Sequence, residues 1–247
     1  MAPRLWHGSH GRHRAVTRRC APTGTVASVE TFIVRVWLPD RPGALGQVAS
    51  RIGAVRGDVV GIDILERGGG RAVDELVVTV PGSEVLDLLV AEICQVDGVA
   101  VEEIRPVVRP HADIGVMVLE VAAELVESPA ADRLAVLCAR LGELVDATWV
   151  VALDHDTEEV LAATGERPDS AWLSAFLQGS RHLTDDHAGA PSDVAWGRLP
   201  VPSRPGETSL GVTVAVGRAG RAIHARERQQ IGLFCRLVSA LAEPALC

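Results

Sequence analysis

The residues best equipped for chemistry are few and fall in two places. His182, Asp185, Asp186 and His187 put two imidazoles and two carboxylates into one short stretch. Imidazole and carboxylate together are ordinary ligands of a divalent cation. Asp154-His155-Asp156 flanks a second imidazole with carboxylates, the ingredients of a metal site or of a base with an orienting acid. The 182–187 stretch matches no known ligand spacing. It lies in a loop rich in Asp, Gly and Pro, and the second stretch in a tight turn where neighbouring side chains diverge, so polar turn chemistry accounts for both. His7, His10 and His13 recur every third residue, but in a segment without hydrophobic periodicity, and a ligand cluster needs a rigid scaffold. No G-x-S-x-G, phosphate loop, H-E-x-x-H or dinucleotide fingerprint occurs. The chain has no lysine and no tyrosine, which removes Schiff-base, phosphate-loop and phenolic chemistry. The residues therefore point to no catalytic group, no metal and no cofactor. A metal-dependent enzyme built on the 182–187 loop is the alternative.

The rest of the composition agrees with a binding protein. The 247 residues are 47% hydrophobic and carry a net charge of −8, which disfavours a general nucleic-acid binder. Three phenylalanines and no tyrosine offer little for base stacking. There is no apolar run long enough to span a membrane and no apolar core of a signal peptide. Five scattered cysteines without a C-x-x-C pair fit a reducing, cytoplasmic setting. Cys94, Cys138 and Cys235 fall in helical apolar patterns and read as small core residues.

The elements that position any site are organised around Trp37-Leu38-Pro39-Asp40-Arg41-Pro42-Gly43-Ala44-Leu45. Before it, Phe32, Val34, Val36 and Leu38 line one face of a strand, while Ile33, Arg35 and Trp37 make a mixed opposite face. After it, Leu45, Val48, Ile52 and Val55 recur at helical spacing. Pro42 fits just inside the helix start, and Gly43 permits close approach of a ligand or backbone. A bare helix N-terminus behind a glycine turn is an anion-binding corner. Residues 1–29 are a basic leader expected to be disordered. Residues 30–106 continue as a helix closed by Gly57, a strand with Val60, Ile62 and Ile64 on one face, a Gly68-Gly69-Gly70 hairpin, a returning strand, a second helix capped by Ser83, and a last strand ending near Pro106. This β-α-β-β-α-β order makes a ferredoxin-like α+β unit with an edge strand free to pair in a homodimer.

Leu38-Pro39-Asp40-Arg41-Pro42-Gly43-Ala44-Leu45, followed by Gly57-Asp58-Val59-Val60-Gly61-Ile62-Asp63, resembles the ACT domain, a regulatory module of amino-acid metabolism. The resemblance implies an amino acid held between two such units, its carboxylate met by backbone amides at the first helix N-terminus. It implies ligand contacts at Asp40, Arg41, Gly43, Ala44, Leu45, Val59 and Val60. Asp40 stands where many amino-acid-binding members have an asparagine facing the ligand, although aspartate also serves turns through its own backbone bonds. Leu38 and Val59 stand where serine-binding members have polar side chains, so the resemblance implies an apolar amino acid rather than serine, or a site kept only for assembly.

Residues 107–114 read as a linker and 115–247 as a second unit. Two helices, a strand pair from Ala147 to Thr164, a helix with Trp172 and Phe176, a strand at 196–201, a strong strand at 210–216 and an amphipathic helix from Glu227 to Leu241 follow in order. The closing pattern Leu210-Gly211-Val212-Thr213-Val214-Ala215-Val216 with Arg226-Glu227-Arg228-Gln229-Gln230-Ile231-Gly232-Leu233-Phe234 resembles a GAF-type sensor domain. That resemblance implies an antiparallel sheet flanked by helices, a small-molecule pocket and helices paired in a dimer. His224 reads as an exposed residue at the start of the last helix. The whole is expected to be a non-enzymatic, ligand-sensing regulator that signals to a partner protein, with an assembly scaffold as a further alternative.

Overall fold

The computed structural model describes residues 29–107, 114–154, 157–179, 193–199 and 211–242. The leader and the 182–187 loop therefore lie outside the described residues, as do His155 and Asp156.

The first unit runs β1 (Glu30–Pro39), α1 (Ala44–Ala54), β2 (Asp58–Gly68), β3 (Arg71–Val80), a single 3-10 turn (Ser83–Val85), α2 (Leu86–Ile93) and β4 (Ala100–Pro106). The four strands form an antiparallel sheet in the order β2-β3-β1-β4. Period-two alternation sends Phe32, Val34, Val36 and Leu38 to the helix-covered face, where they pack with Ala44, Val48 and Ile52 of α1 and Leu89 and Ile93 of α2. Gly69 and Gly70 both have positive φ and close the β2–β3 hairpin in two residues. The expected ferredoxin-like arrangement is thus observed. The apolar residues Val60, Ile62 and Ile64 are exposed on edge strand β2.

Local details differ from expectation. Helix α1 begins at Ala44, with Gly43 as its N-cap, because Arg41-Pro42-Gly43 first makes a turn in which the Ala44 N–H donates to the Arg41 carbonyl at 3.3 Å. Pro42 is therefore outside the helix. Val55 is the C-cap, and Arg56, at φ 62°, takes the left-handed position assigned to Gly57. Gly57 is needed for space, since a Cβ there would stand 2.8 Å from Ile52 Cγ2. Ser83 opens a 3-10 turn and makes no side-chain cap bond, so α2 starts only at Leu86. Cys94 is exposed because α2 ends at Ile93, taking Cys94 off the buried face; Cys138 and Cys235 are buried, with burial pushing both thiols up to about 12.

The second unit comprises α3 (Ile114–Glu127), α4 (Arg133–Leu144), β5 (Trp149–Asp154), β6 (Val160–Gly165), α5 (Ser170–Gly179), β7 (Val194–Leu199), β8 (Val212–Gly217) and α6 (Ala225–Ala242). Its antiparallel sheet has the order β6-β5-β8-β7. Val150, Ala152, Val214 and Val216 face a core shared with α3, α4 and α6. Trp149, Val151, Leu153 and Ala215 face the other way, toward Leu173 and Leu177 of α5. An antiparallel sheet flanked by helices is what the second resemblance implied. Trp172 is half exposed and stacks on Phe176, which meets Trp196 edge-on. Among the described residues no helix is long and apolar enough to cross a membrane.

Candidate ligand-binding site

The corner after β1 is built by the backbone. Gly43 has φ 87° and ψ −11°, a left-handed conformation that an L side chain resists. No side chain caps α1 and no acidic residue stands in its first turn. The first intrahelical bond runs from the Gln47 N–H to the Gly43 carbonyl at 3.0 Å. Among the described residues the N–H groups of Leu45 and Gly46 thus remain orphan donors at the positive end of the helix dipole. Asp40 is exposed; its N–H donates to the Gly70 carbonyl at 2.9 Å, and its carboxylate makes no hydrogen bond among the described residues. Turn bonding by that side chain is therefore absent.

The site residues named from sequence do not all meet within one chain. Asp40, Arg41, Gly43, Ala44 and Leu45 share the corner, although Arg41 is directed toward a groove of about 440 Å³ shared with Gln47, Arg51 and Asp97. Ala44 is wholly buried and serves the core. Val59 pairs with Val78, whereas the corner adjoins the pair Leu38–Ala72. Six residues of β3 separate the two positions, roughly 20 Å of strand. Leu38 is buried in the core.

A residue not named from sequence stands beside the corner. Asp74 of β3 pairs with Val36 on one side and Ile64 on the other, which places it on the helix-covered face. It is 4% exposed, and its Oδ1 is buried without a hydrogen-bond partner among the described residues. Burial pushes its carboxyl above the ordinary 3.8, against the pull of Arg67 and with a further push from Asp40. The signal was visible as a charged pair, Asp74-Glu75, inside an otherwise apolar strand.

On the opposite face of the same sheet, a charged seam joins the two units. Arg35 is 2% exposed; its Nη2 and Nε donate to Glu75 Oε2 at 2.6 and 3.2 Å, and Nη2 lies 3.4 Å from Glu227 Oε1. Arg218 Nη2 donates to the same Glu227 oxygen at 2.8 Å. The other Glu227 oxygen accepts from the His224 N–H at 2.8 Å, the return bond of a capping box at the start of α6. His224 was expected to be exposed and is instead 2% exposed, because the 218–228 segment lies against the sheet. Its Nδ1 is 3.0 Å from Glu66 Oε2 and its Nε2 is 3.0 Å from Glu102 Oε2. A neutral imidazole has one N–H, so only the imidazolium donates to both carboxylates. Burial pulls its pKa down, but the hydrogen bonds to Glu102 and Glu66 hold it above the ordinary 6.5, with Arg35 opposing them. Trp37 meets the ring edge-on at 5.8 Å. Arg221 bridges Glu103 at 2.9 Å and Asp146 at 2.7 Å, and Arg226 reaches Asp63 of β2 at 2.5 Å. Among the described residues no group of three or more His, Cys, Asp or Glu is arranged to hold a metal ion. Asp154 instead accepts from the Thr157 N–H at 3.0 Å, as a turn residue.

The β1–α1 corner, its glycine cap and the β2-β3-β1-β4 sheet are features that a family comparison can decide. Residues 32–98 match the family model of the ACT domain. This is the stretch that carries the corner, Asp74 and the first half of the seam. Solved structures similar to parts of the chain include the ACT domain from GTP pyrophosphokinase of Chlorobium tepidum, at 16% identity over 34% of this chain and 93% of that one, TM-score 0.27. The GAF domain of a protein described as a sensor histidine kinase from Pseudomonas syringae pv. tomato is 14% identical over 52% of this chain and 84% of that one, TM-score 0.33. A protein described as a glycine cleavage system transcriptional repressor is 12% identical over 87% of this chain and 93% of that one, TM-score 0.30. No curated relative matches the chain.

Proposed function

We propose that this protein is a non-enzymatic regulator that binds an apolar amino acid at the ACT corner, between two copies of the chain, and passes the change to a partner protein through its second unit. The observation that carries this reading is the uncapped α1 N-terminus behind left-handed Gly43, which presents the Leu45 and Gly46 amides to a carboxylate. Edge strand β2, with Val60, Ile62 and Ile64 exposed, supplies the pairing surface. Antiparallel pairing of β2 with β2 reverses one strand, so the Val59–Val60 end of one copy meets the corner end of the other. This accounts for site residues that lie far apart within a single chain. The seam supplies the route onward, because Asp63 and Glu66 of the same β2 bind Arg226 and His224 at the start of α6.

Sedimentation equilibrium tests the assembly directly. A dimer is expected, and Ile62→Asp is expected to give a monomer that no longer gains thermal stability from apolar amino acids. A wild-type monomer that binds none of them would overturn the reading.

A further inference from the structure

An α-amino acid has two charged ends, and backbone amides answer only one of them. A group for the ammonium must be anionic, near the α1 N-terminus and not already held in an ion pair. Asp74 has these properties. Its register with Val36 and Ile64 sets it on the face over which α1 doubles back. Ala44 and Val48 of α1 share one core cluster with Val36, Leu38 and Ala72. Asp74 is two residues along β3 from Ala72, the partner of Leu38, or about 7 Å from the end of the sheet where the corner begins. Asp40 of the corner and Arg67 are the charged groups near enough to act on it. Arg67 makes no ion pair with it among the described residues, and Oδ1 is left buried without a partner. A buried carboxylate in this condition costs stability, and such a cost persists where a function uses the group. Ile64 and Ile62, paired with Asp74 and Leu76, are exposed along the same side of β2.

We propose that Asp74 binds the ammonium group of the ligand, so that the corner takes a free α-amino acid as its zwitterion: carboxylate on the Leu45 and Gly46 amides, ammonium on Asp74, apolar side chain along Ile62 and Ile64. This rests on the reading of the corner as a ligand site. It adds that the ligand must carry a free α-ammonium, which excludes keto acids, N-acylated amino acids and simple carboxylates.

The test is calorimetric titration of the full chain with L-valine, L-isoleucine, L-leucine and L-phenylalanine. For leucine, two probes each lack one charged end: 4-methylpentanoate and 3-methylbutylamine. At least one amino acid is expected to bind, and each truncated probe to bind at least about tenfold more weakly than leucine, the scale of one lost charge-assisted hydrogen bond. Asp74→Asn is expected to weaken the amino acid by about tenfold while leaving 4-methylpentanoate unchanged. The inference is overturned if 4-methylpentanoate binds the wild type as tightly as leucine, or if Asp74→Asn binds leucine as tightly as the wild type. The wild-type comparison decides even where the variant folds poorly. If no amino acid binds the wild type, the reading of the corner itself fails, and Asp74 loses its role with it.

Discussion

Replacing His224 with glutamine keeps one N–H donor but removes the second donor and the positive charge. In the folded chain the imidazolium lies 3.0 Å from carboxylate oxygens of both Glu66 and Glu102, and its side chain is 3% exposed. The Glu102 side chain is 22% exposed, and a charge-assisted hydrogen bond there is worth about 1.5–2 kcal/mol. The Glu66 side chain is 43% exposed, so solvent screening reduces its share to about 0.5 kcal/mol. Glutamine retains part of one bond, which leaves a loss of about 1–2 kcal/mol. The loss depends on pH in a fixed direction. The folded-state pKa of His224 is raised above the ordinary 6.5, chiefly by the two glutamates acting against burial. The imidazolium therefore contributes its full stability below about pH 6.5, and that contribution fades as pH rises through the higher folded value. The Glu102 carboxyl is pulled below its ordinary 4.5 by His224 despite burial, so it stays ionised across this window. Thermal unfolding of wild type and His224→Gln from pH 5.5 to 8.5 reads the difference. At about 2–4 °C per kcal/mol for a chain of this size, the gap is expected to be near 4 °C at pH 5.5 and to shrink by half or more at pH 8.5. A gap that stays constant, or that widens with pH, would refute the imidazolium at the seam.

Other substitutions probe the same structure. Arg35→Ala leaves Glu75 and Glu227 buried with less positive charge and is expected to cost about 3 kcal/mol in urea unfolding; a cost under 1 kcal/mol would contradict a closed seam. Asp74→Asn removes a buried carboxylate with a raised pKa, so it is expected to stabilise the ligand-free chain by about 1 kcal/mol at pH 7. That gain should vanish as pH falls below the ordinary 3.8, where the wild-type carboxyl is itself neutral. Arg56→Gly relieves a left-handed arginine at φ 62° and is expected to raise stability by about 0.5–1 kcal/mol in the same assay.

The sheet of the first unit was legible because alternation, a glycine hairpin and a strand-ending Pro-Asp-Arg-Pro-Gly turn all point to one topology. The corner was legible for the same reason, since glycine and proline mark where the backbone leaves the strand. Helix ends were less so. Whether Arg56 or Gly57 takes the left-handed residue depends on the contact of Gly57 with Ile52, which is set by packing and not by local propensity. Cys94 follows a helical apolar pattern in sequence, but the helix stops one residue earlier. The largest surprises were polar. Alternation puts Arg35 on the mixed face of β1, yet its partners Glu75 and Glu227 are 40 and 192 residues away in sequence. His224 reads as a surface residue by its arginine- and glutamate-rich neighbours, and only the docking of the two units buries it. Asp74 and Glu75 carried a readable sign, two adjacent acids within a buried strand, and alternation alone sends them to opposite faces: one to the corner side, the other to the seam.

The central claim is that the ACT corner is a working amino-acid site. The direct measurement is the thermal midpoint of the full chain against each of the twenty amino acids in turn. An apolar amino acid at about a hundred times its dissociation constant should stabilise the fold by about 2.7 kcal/mol, a shift of several degrees, while serine should give little or none. Unchanged midpoints with all twenty, at concentrations up to tens of millimolar, would contradict it.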